Sequence, residues 1–174
     1  VAILSIPGVA MFDDRENGYR AAFDDYPGIE VVQVGDTQAD TVTSVNTAKD
    51  IMQRNPDLAA FAATDSTGGI GAATAVEELG KVGEVKIVSM DRNSDVLEKI
   101  REGVVTGTVA QNDAAMAYWA LLTLYTYNYN QAPLTSDNAA AGVNPGPSAV
   151  HMAVNYVDES NLEFFLAANE LYVP

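Results

Sequence analysis

Five short apolar runs, each followed by a stretch with helical spacing, constrain this chain more than any other feature. The runs are Val1–Ile6, Glu30–Val34, Leu58–Ala63, Val85–Met90 and Val105–Ala110, nearly unbroken in the way of strands covered on both faces. Between them the pattern predicts helices over 14–25, 40–55, 67–79, 94–102 and 113–128. Tyr26-Pro27-Gly28 and Asn55-Pro56-Asp57 supply helix stops, Gly80 and Gly103 stand where C′ glycines belong, and Ser94 or Asp95 can cap a start. This alternation predicts an α/β fold: a doubly wound parallel sheet of flavodoxin-like order 2-1-3-4-5, in three α/β/α layers with right-handed crossovers. The chain has 174 residues, 48% of them hydrophobic, enough for one ordinary core.

The pattern changes after Asn130. Residues 131–148 are rich in Pro, Ala, Asn and Gly, so they read as a loop or extended crossing segment. A last strand over about 149–156 and a short helix over about 160–168 follow. The chain starts directly on a strand, with no initiator Met and no basic leader, and is expected to begin inside a longer protein.

Composition removes several classes of function. Acidic residues outnumber basic ones 24 to 9, giving a formal charge of −15, which repels nucleic acid and anionic membranes. No cysteine is present, and His151 is the only histidine. No thiolate nucleophile, sulfur-based zinc site or histidine metal cluster is therefore expected, and no catalytic residue, metal or cofactor is assigned.

In a parallel sheet, ligands bind at the carboxyl ends of the strands near the point where strand order reverses. That rule selects Phe12, Asp13, Asp14, Arg15 and Asn17 after the first strand and Thr64-Asp65-Ser66 after the third. It selects Asp91-Arg92-Asn93 after the fourth and Gln111-Asn112-Asp113 after the fifth. Carboxylates, amides and a guanidinium converging on one edge suit sugar hydroxyls, because carboxylates accept from hydroxyls and guanidinium donates in a fixed fork. Asp65 is equally readable as an N-cap, Asp113 and Asp14 read as N-caps rather than ligand contacts, and Arg15 is equally readable as a helix-surface residue paired with an acid one turn away. Asp91 has no such duty in view, since Ser94 and Asp95 already offer the next cap, and Gln111 caps poorly. Gly68-Gly69-Ile70-Gly71 opens a helix after a strand without the ending of a phosphate loop, and is better read as close helix packing. His151 reads as a partly buried structural histidine. The aromatic series Tyr118, Trp119, Tyr125, Tyr127 and Tyr129 reads as core or lobe-interface packing.

Three segments carry a recognisable likeness: Arg15-Glu16-Asn17-Gly18-Tyr19-Arg20, Tyr26-Pro27-Gly28-Ile29-Glu30-Val31-Val32, and Asn55-Pro56-Asp57-Leu58 with Phe61-Ala62-Ala63-Thr64-Asp65. Further on come Lys86-Ile87-Val88-Ser89-Met90-Asp91, Ile100-Arg101-Glu102-Gly103 and Gly107-Thr108-Val109-Ala110-Gln111-Asn112. In this order they resemble the second lobe of the type I periplasmic sugar-binding proteins of ABC transporters, the ribose-binding-like group. The resemblance covers about residues 1–130 and implies sugar contacts at Arg15, Asp65, Asp91 and Gln111, with Asp13 at a position that some relatives use. It implies a ligand-binding lobe over 1–130 and a segment over 131–174 that completes the lobe or hinge. It also implies a sugar or polyol ligand, a membrane permease, a missing N-terminal lobe of the same protein, and a periplasmic or extracellular site with a lipid anchor on the missing N-terminus as one form.

Two other readings stand beside it. One is the effector lobe of a lactose-repressor-type regulator or of a sensor that shares the fold; a helix-turn-helix upstream would support it, whereas a signal peptide would support the transporter. The other is a flavodoxin-like or sugar-isomerase enzyme, whose acid-base work would rest on carboxylates alone.

Overall fold

The structure, a computed structural model, describes residues 1–129 and 131–170. In chain order its elements are β1 (Ala2–Ser5), α1 (Ala10–Asp24), β2 (Gln33–Asp36), α2 (Thr41–Arg54), β3 (Ala60–Ala63) and α3 (Ser66–Glu78). Then come β4 (Lys86–Met90), α4 (Ser94–Arg101), β5 (Gly107–Ala110), α5 (Asp113–Asn128), β6 (Asn155–Val157) and α6 (Leu162–Glu170). The six strands form one sheet of order β2-β1-β3-β4-β5-β6. The pairs β1–β2, β1–β3, β3–β4 and β4–β5 are all parallel, so the expected 2-1-3-4-5 arrangement is present with β6 added at its edge.

Both sheet faces are covered, as continuous apolar runs require. Leu4, Phe61 and Ile87 point to one face, and Ile3 on the other is equally buried. Burying side chains of this size contributes about 1.5–3 kcal/mol each relative to leaving them exposed. Helices α2 and α3 pack side by side, and glycines let them sit close. A Cβ on Gly71 would overlap Ser44 of α2, one on Gly69 would overlap the Ser89 hydroxyl of β4, and one on Gly35 of β2 would press on Thr47 and Ile51. The glycine run of α3 is thus a packing device, as its sequence suggested.

Several boundaries differ from expectation for identifiable reasons. β2 starts at Gln33, beyond the apolar Val31-Val32, because β1 pairs Ala2 with Gln33 and Leu4 with the close-packed Gly35. α1 starts at Ala10, since the Val9 carbonyl already accepts from the N–H groups of Phe12 and Asp13. Asp14 is therefore inside the helix and is not its cap. The cap residue of α4 is Asn93 rather than Ser94 or Asp95. The cap of α5 is Asn112, whose side chain accepts from the Ala115 N–H at 3.0 Å, so Asp113 is the first helical residue and not the cap. Of the last strand expected over 149–156, only Asn155 and Tyr156 are in β6; the apolar residues before them lack a strand to pair with and lie outside regular structure. Gly80 and Gly103 occupy left-handed backbone (φ +67° and +73°) after α3 and α4, as C′ glycines do.

The chain divides into two compact units. The first comprises Val1–Ala110 and Tyr156–Pro174, and the second Gln111–Asn155.

Candidate functional site

The carboxyl ends of β1, β3 and β4 converge at the reversal of strand order, since β1 lies between β2 and β3. Local chemistry ties these ends together. On α1, Arg15 and Tyr19 are four residues apart and therefore share a helix face. Arg15 donates from Nη1 to the Thr64 carbonyl at 2.7 Å, and Tyr19 donates from its hydroxyl to the Ala63 carbonyl at 3.0 Å. Two successive carbonyls at the end of β3 are thus held by one face of the helix that follows β1. The Arg15 guanidinium also lies 5.7 Å from the centre of the Phe12 ring, within cation–π range. Burial pushes the Tyr19 phenol up to about 12, against the smaller opposing effect of Arg15, so at neutral pH it is a fixed donor.

Asp65 follows that clamp by one residue. It is buried, and its Oδ1 accepts from the Gly68 N–H at 3.0 Å, making it the N-cap of α3. The N-cap reading of Asp65 is therefore correct, and any ligand role must be carried beside it. Asp13 accepts from the Gly8 N–H at 3.1 Å and braces the turn into α1. The expected pairing of Arg15 with an acid one turn away is not what α1 uses; there Arg20 pairs with Glu16.

Asp91 is the unusual member. Its backbone is left-handed, with φ +69°, immediately after β4. Its N–H donates to the Val109 carbonyl at 2.9 Å, and its own carbonyl accepts from the Thr108 hydroxyl at 2.8 Å. These bonds anchor the residue to β5 and hold a conformation that costs a non-glycine residue on the order of 1 kcal/mol or more. Across the next gap, Asn93 reaches the Ser66 hydroxyl at 3.5 Å, linking the loops after β4 and β3. Gln111 follows the last residue of β5 and opens the second unit.

The structure thus brings Asp13, Arg15, Asp65 and Asp91 to one edge of the first unit. Tyr19 was not singled out from the sequence, where a tyrosine in a polar helix looks like any amphipathic surface residue. Its only signal was the four-residue spacing from Arg15. No cluster of His, Cys, Asp and Glu suited to a metal occurs among the described residues. A hollow of about 660 Å³ lies at the opposite, amino-terminal edge of β3 and β4, walled mainly by Met52, Pro56, Leu58, Leu79 and Val85. It does not coincide with the polar edge, which is the better ligand candidate because its donors and acceptors converge at the strand reversal.

A doubly wound α/β lobe with a polar edge at its strand reversal defines a class of small-molecule-binding modules. The periplasmic binding protein domain model matches residues 1–131, and the chain belongs to that family. It is 33% identical over 107 residues to the D-allose-binding periplasmic protein of Escherichia coli (strain K12), an alignment covering 62% of this chain and 34% of that protein. It is 28% identical over 121 residues to the D-ribose/D-allose-binding protein of Pseudomonas aeruginosa, covering 68% and 37%. The chain therefore spans about a third of the curated relatives it matches. The arabinose-binding protein AraP from Geobacillus stearothermophilus superposes with a TM-score of 0.82 at 28% identity, covering 94% of this chain and 55% of that one. A sugar-binding protein of a sugar ABC transporter from Bacillus halodurans gives 0.84 at 28% identity, covering 94% and 56%. These relatives are binding proteins.

Proposed function

We propose that the chain is the C-terminal lobe of a solute-binding protein that delivers a monosaccharide or related polyol to an ABC permease outside the cytoplasmic membrane. In this reading residues 1–130 supply the ligand-binding lobe, residues 131–174 complete it or the hinge, and an N-terminal lobe of the same protein closes over the sugar. Asp13, Arg15, Asp65, Asp91 and Gln111 are the sugar contacts, and no step of covalent chemistry is required. The observation that carries the reading is the left-handed backbone of Asp91 at the carboxyl end of β4, braced by Val109 and Thr108. An aspartate that holds such a conformation at a cost, at the carboxyl end of a strand beside the reversal of strand order, supports a ligand-facing role for this residue.

Calorimetry of the full-length protein against pentoses, hexoses, deoxy sugars and polyols tests this. D-Allose and D-ribose come first, because curated relatives are named for them. Asp91→Ala is expected to cost on the order of 2–4 kcal/mol of sugar binding, since a charged acceptor is lost and buried hydroxyls are left without it. Retention of parental affinity by that variant would overturn the assignment of Asp91. The 174-residue chain alone is expected to bind only in the millimolar range or weaker, because a sugar held from one side stays solvated on the other. The upstream coding sequence locates the protein: a secretory or lipoprotein leader supports export, and a helix-turn-helix would refute it.

A further inference from the structure

Strands β4 and β5 carry hydroxyls at positions where their apolar runs would be served as well by valine. Ser89 and Thr108 are both fully buried, and the parallel register sets them directly side by side. A hydroxyl taken out of water must find a partner or it destabilises the fold. Each of these finds one at the carboxyl end of β4. Ser89 donates to the Met90 carbonyl at 3.3 Å, and Thr108 donates to the Asp91 carbonyl at 2.8 Å. The space around Ser89 is kept for that hydroxyl, since a Cβ on Gly69 of α3 would overlap its Oγ.

The Thr108 bond is the one that reaches the candidate site. Asp91 has φ +69°, a region that L-residues enter seldom and hold only while their neighbours outweigh the cost. Two groups of β5 grip it: the Val109 carbonyl takes its N–H at 2.9 Å, and the Thr108 hydroxyl serves its carbonyl. The first bond is made by main chain and is open to any residue at position 109. The second needs a hydroxyl at position 108. A single substitution therefore removes it and leaves the ladder between β4 and β5 in place.

We infer, resting on the reading of Asp91 as a sugar contact, that Thr108 is a positioning residue of that site: its hydroxyl holds the Asp91 backbone left-handed and so sets the direction of the carboxylate before the sugar arrives. Thr108 is fully buried in the sheet and acts through Asp91 alone. Its contribution is pre-organisation. Without the hydroxyl, Asp91 relaxes to the commoner negative φ in most molecules, and the apparent affinity falls in proportion to the fraction still competent.

A double-mutant cycle in the full-length protein, read by calorimetry with D-allose and D-ribose as probes, tests this. Thr108→Val keeps the shape and removes the donor, and should weaken binding roughly fivefold to thirtyfold. Thr108→Ser keeps the hydroxyl and should stay within about twofold of the parent. Asp91→Ala should lose more than about thirtyfold. Adding Thr108→Val to Asp91→Ala should then change affinity by less than about twofold, because the group being aimed is gone. A residue that merely supported the sheet would weaken both backgrounds equally. Amide exchange gives a readout that needs no sugar: the Asp91 N–H should exchange at least about tenfold faster in Thr108→Val, while the amides of β1 and β3 keep their rates. Parental affinity in Thr108→Val, equal losses in Thr108→Val and Thr108→Ser, or losses that multiply with Asp91→Ala would each overturn the inference. Unchanged exchange at Asp91 would overturn the hold itself, whichever sugar binds. Parental affinity in Asp91→Ala would instead overturn the sugar contact, and the exchange rates alone would then decide whether Thr108 fixes the turn.

Discussion

The two units of this chain use apolar residues in opposite ways. In the first, aliphatic side chains disappear into a packed layer: Ile3, Leu4, Ile51, Ile87 and Leu97 are fully buried, and glycines remove Cβ atoms where helix and sheet touch. In the second, an equally apolar helix holds its large side chains in the open. Charge follows the same division. The acids and bases of the first unit form pairs such as Lys49–Glu78, Lys99–Glu77 and Lys99–Glu102, whereas the second has almost no charges to pair. The lesson is that hydrophobic content alone does not say whether a segment makes a core. A core also needs a second apolar layer within reach, which the sheet provides for α2 and α3.

The strongest way to break this comparison is to crowd both units. Gly71→Val places side-chain atoms where Ser44 of α2 already stands, and is expected to cost more than about 4 kcal/mol or to abolish folding. Gly146→Ala in the second unit meets only Asn144 at 3.7 Å and should shift stability by less than about 0.5 kcal/mol. Thermal melts of the two variants decide whether packing density differs as described; equal losses would refute it.

A medium effect concerns the Tyr19 clamp. Because burial raises this phenol to about 12, the folded state keeps its proton while the unfolded chain releases one above its ordinary value of 10. Between those values the unfolded state binds fewer protons, so stability falls as pH rises, by on the order of 2 kcal/mol over the whole window. Tyr19→Phe should lose about 1 kcal/mol at neutral pH, from the hydrogen bond to Ala63, and should show a shallower alkaline slope. Denaturant titrations at pH 8 and above check both; an unchanged slope would place the titrating group elsewhere.

The smallest expected effect separates Asn112 from Asp113 at the start of α5. Asn112→Ala removes the acceptor of the Ala115 N–H and should cost roughly 0.5–2 kcal/mol, visible as loss of helical signal. Asp113→Ala, one residue on, should stay within about 0.5 kcal/mol. The reverse order would restore Asp113 as the cap.

Asp91 shows how far the sequence reached into the site. Its place after an apolar strand marked it as a ligand candidate, but nothing in the order Met90-Asp91-Arg92 announces a positive φ. That angle arises because its N–H and carbonyl are held by Val109 and Thr108, residues eighteen and seventeen positions away that β-sheet pairing brings alongside. For Asp65 the sequence left cap and ligand contact open, and only the distance to the Gly68 N–H established the cap.

The sequence by itself determined where strands β1 to β5 fall along the chain, the stops after α3 and α4 and the polar strand-end edge. Each of these rests on short-range rules: apolar runs of strand length, glycine at left-handed C′ positions, and polar residues where a strand leaves the sheet. Tertiary structure decided where β2 begins, that Asp91 takes a positive φ, and that Arg15 and Tyr19 grip adjacent carbonyls of β3. Those outcomes depend on distances between residues far apart in the chain, and no local pattern of side chains encodes them.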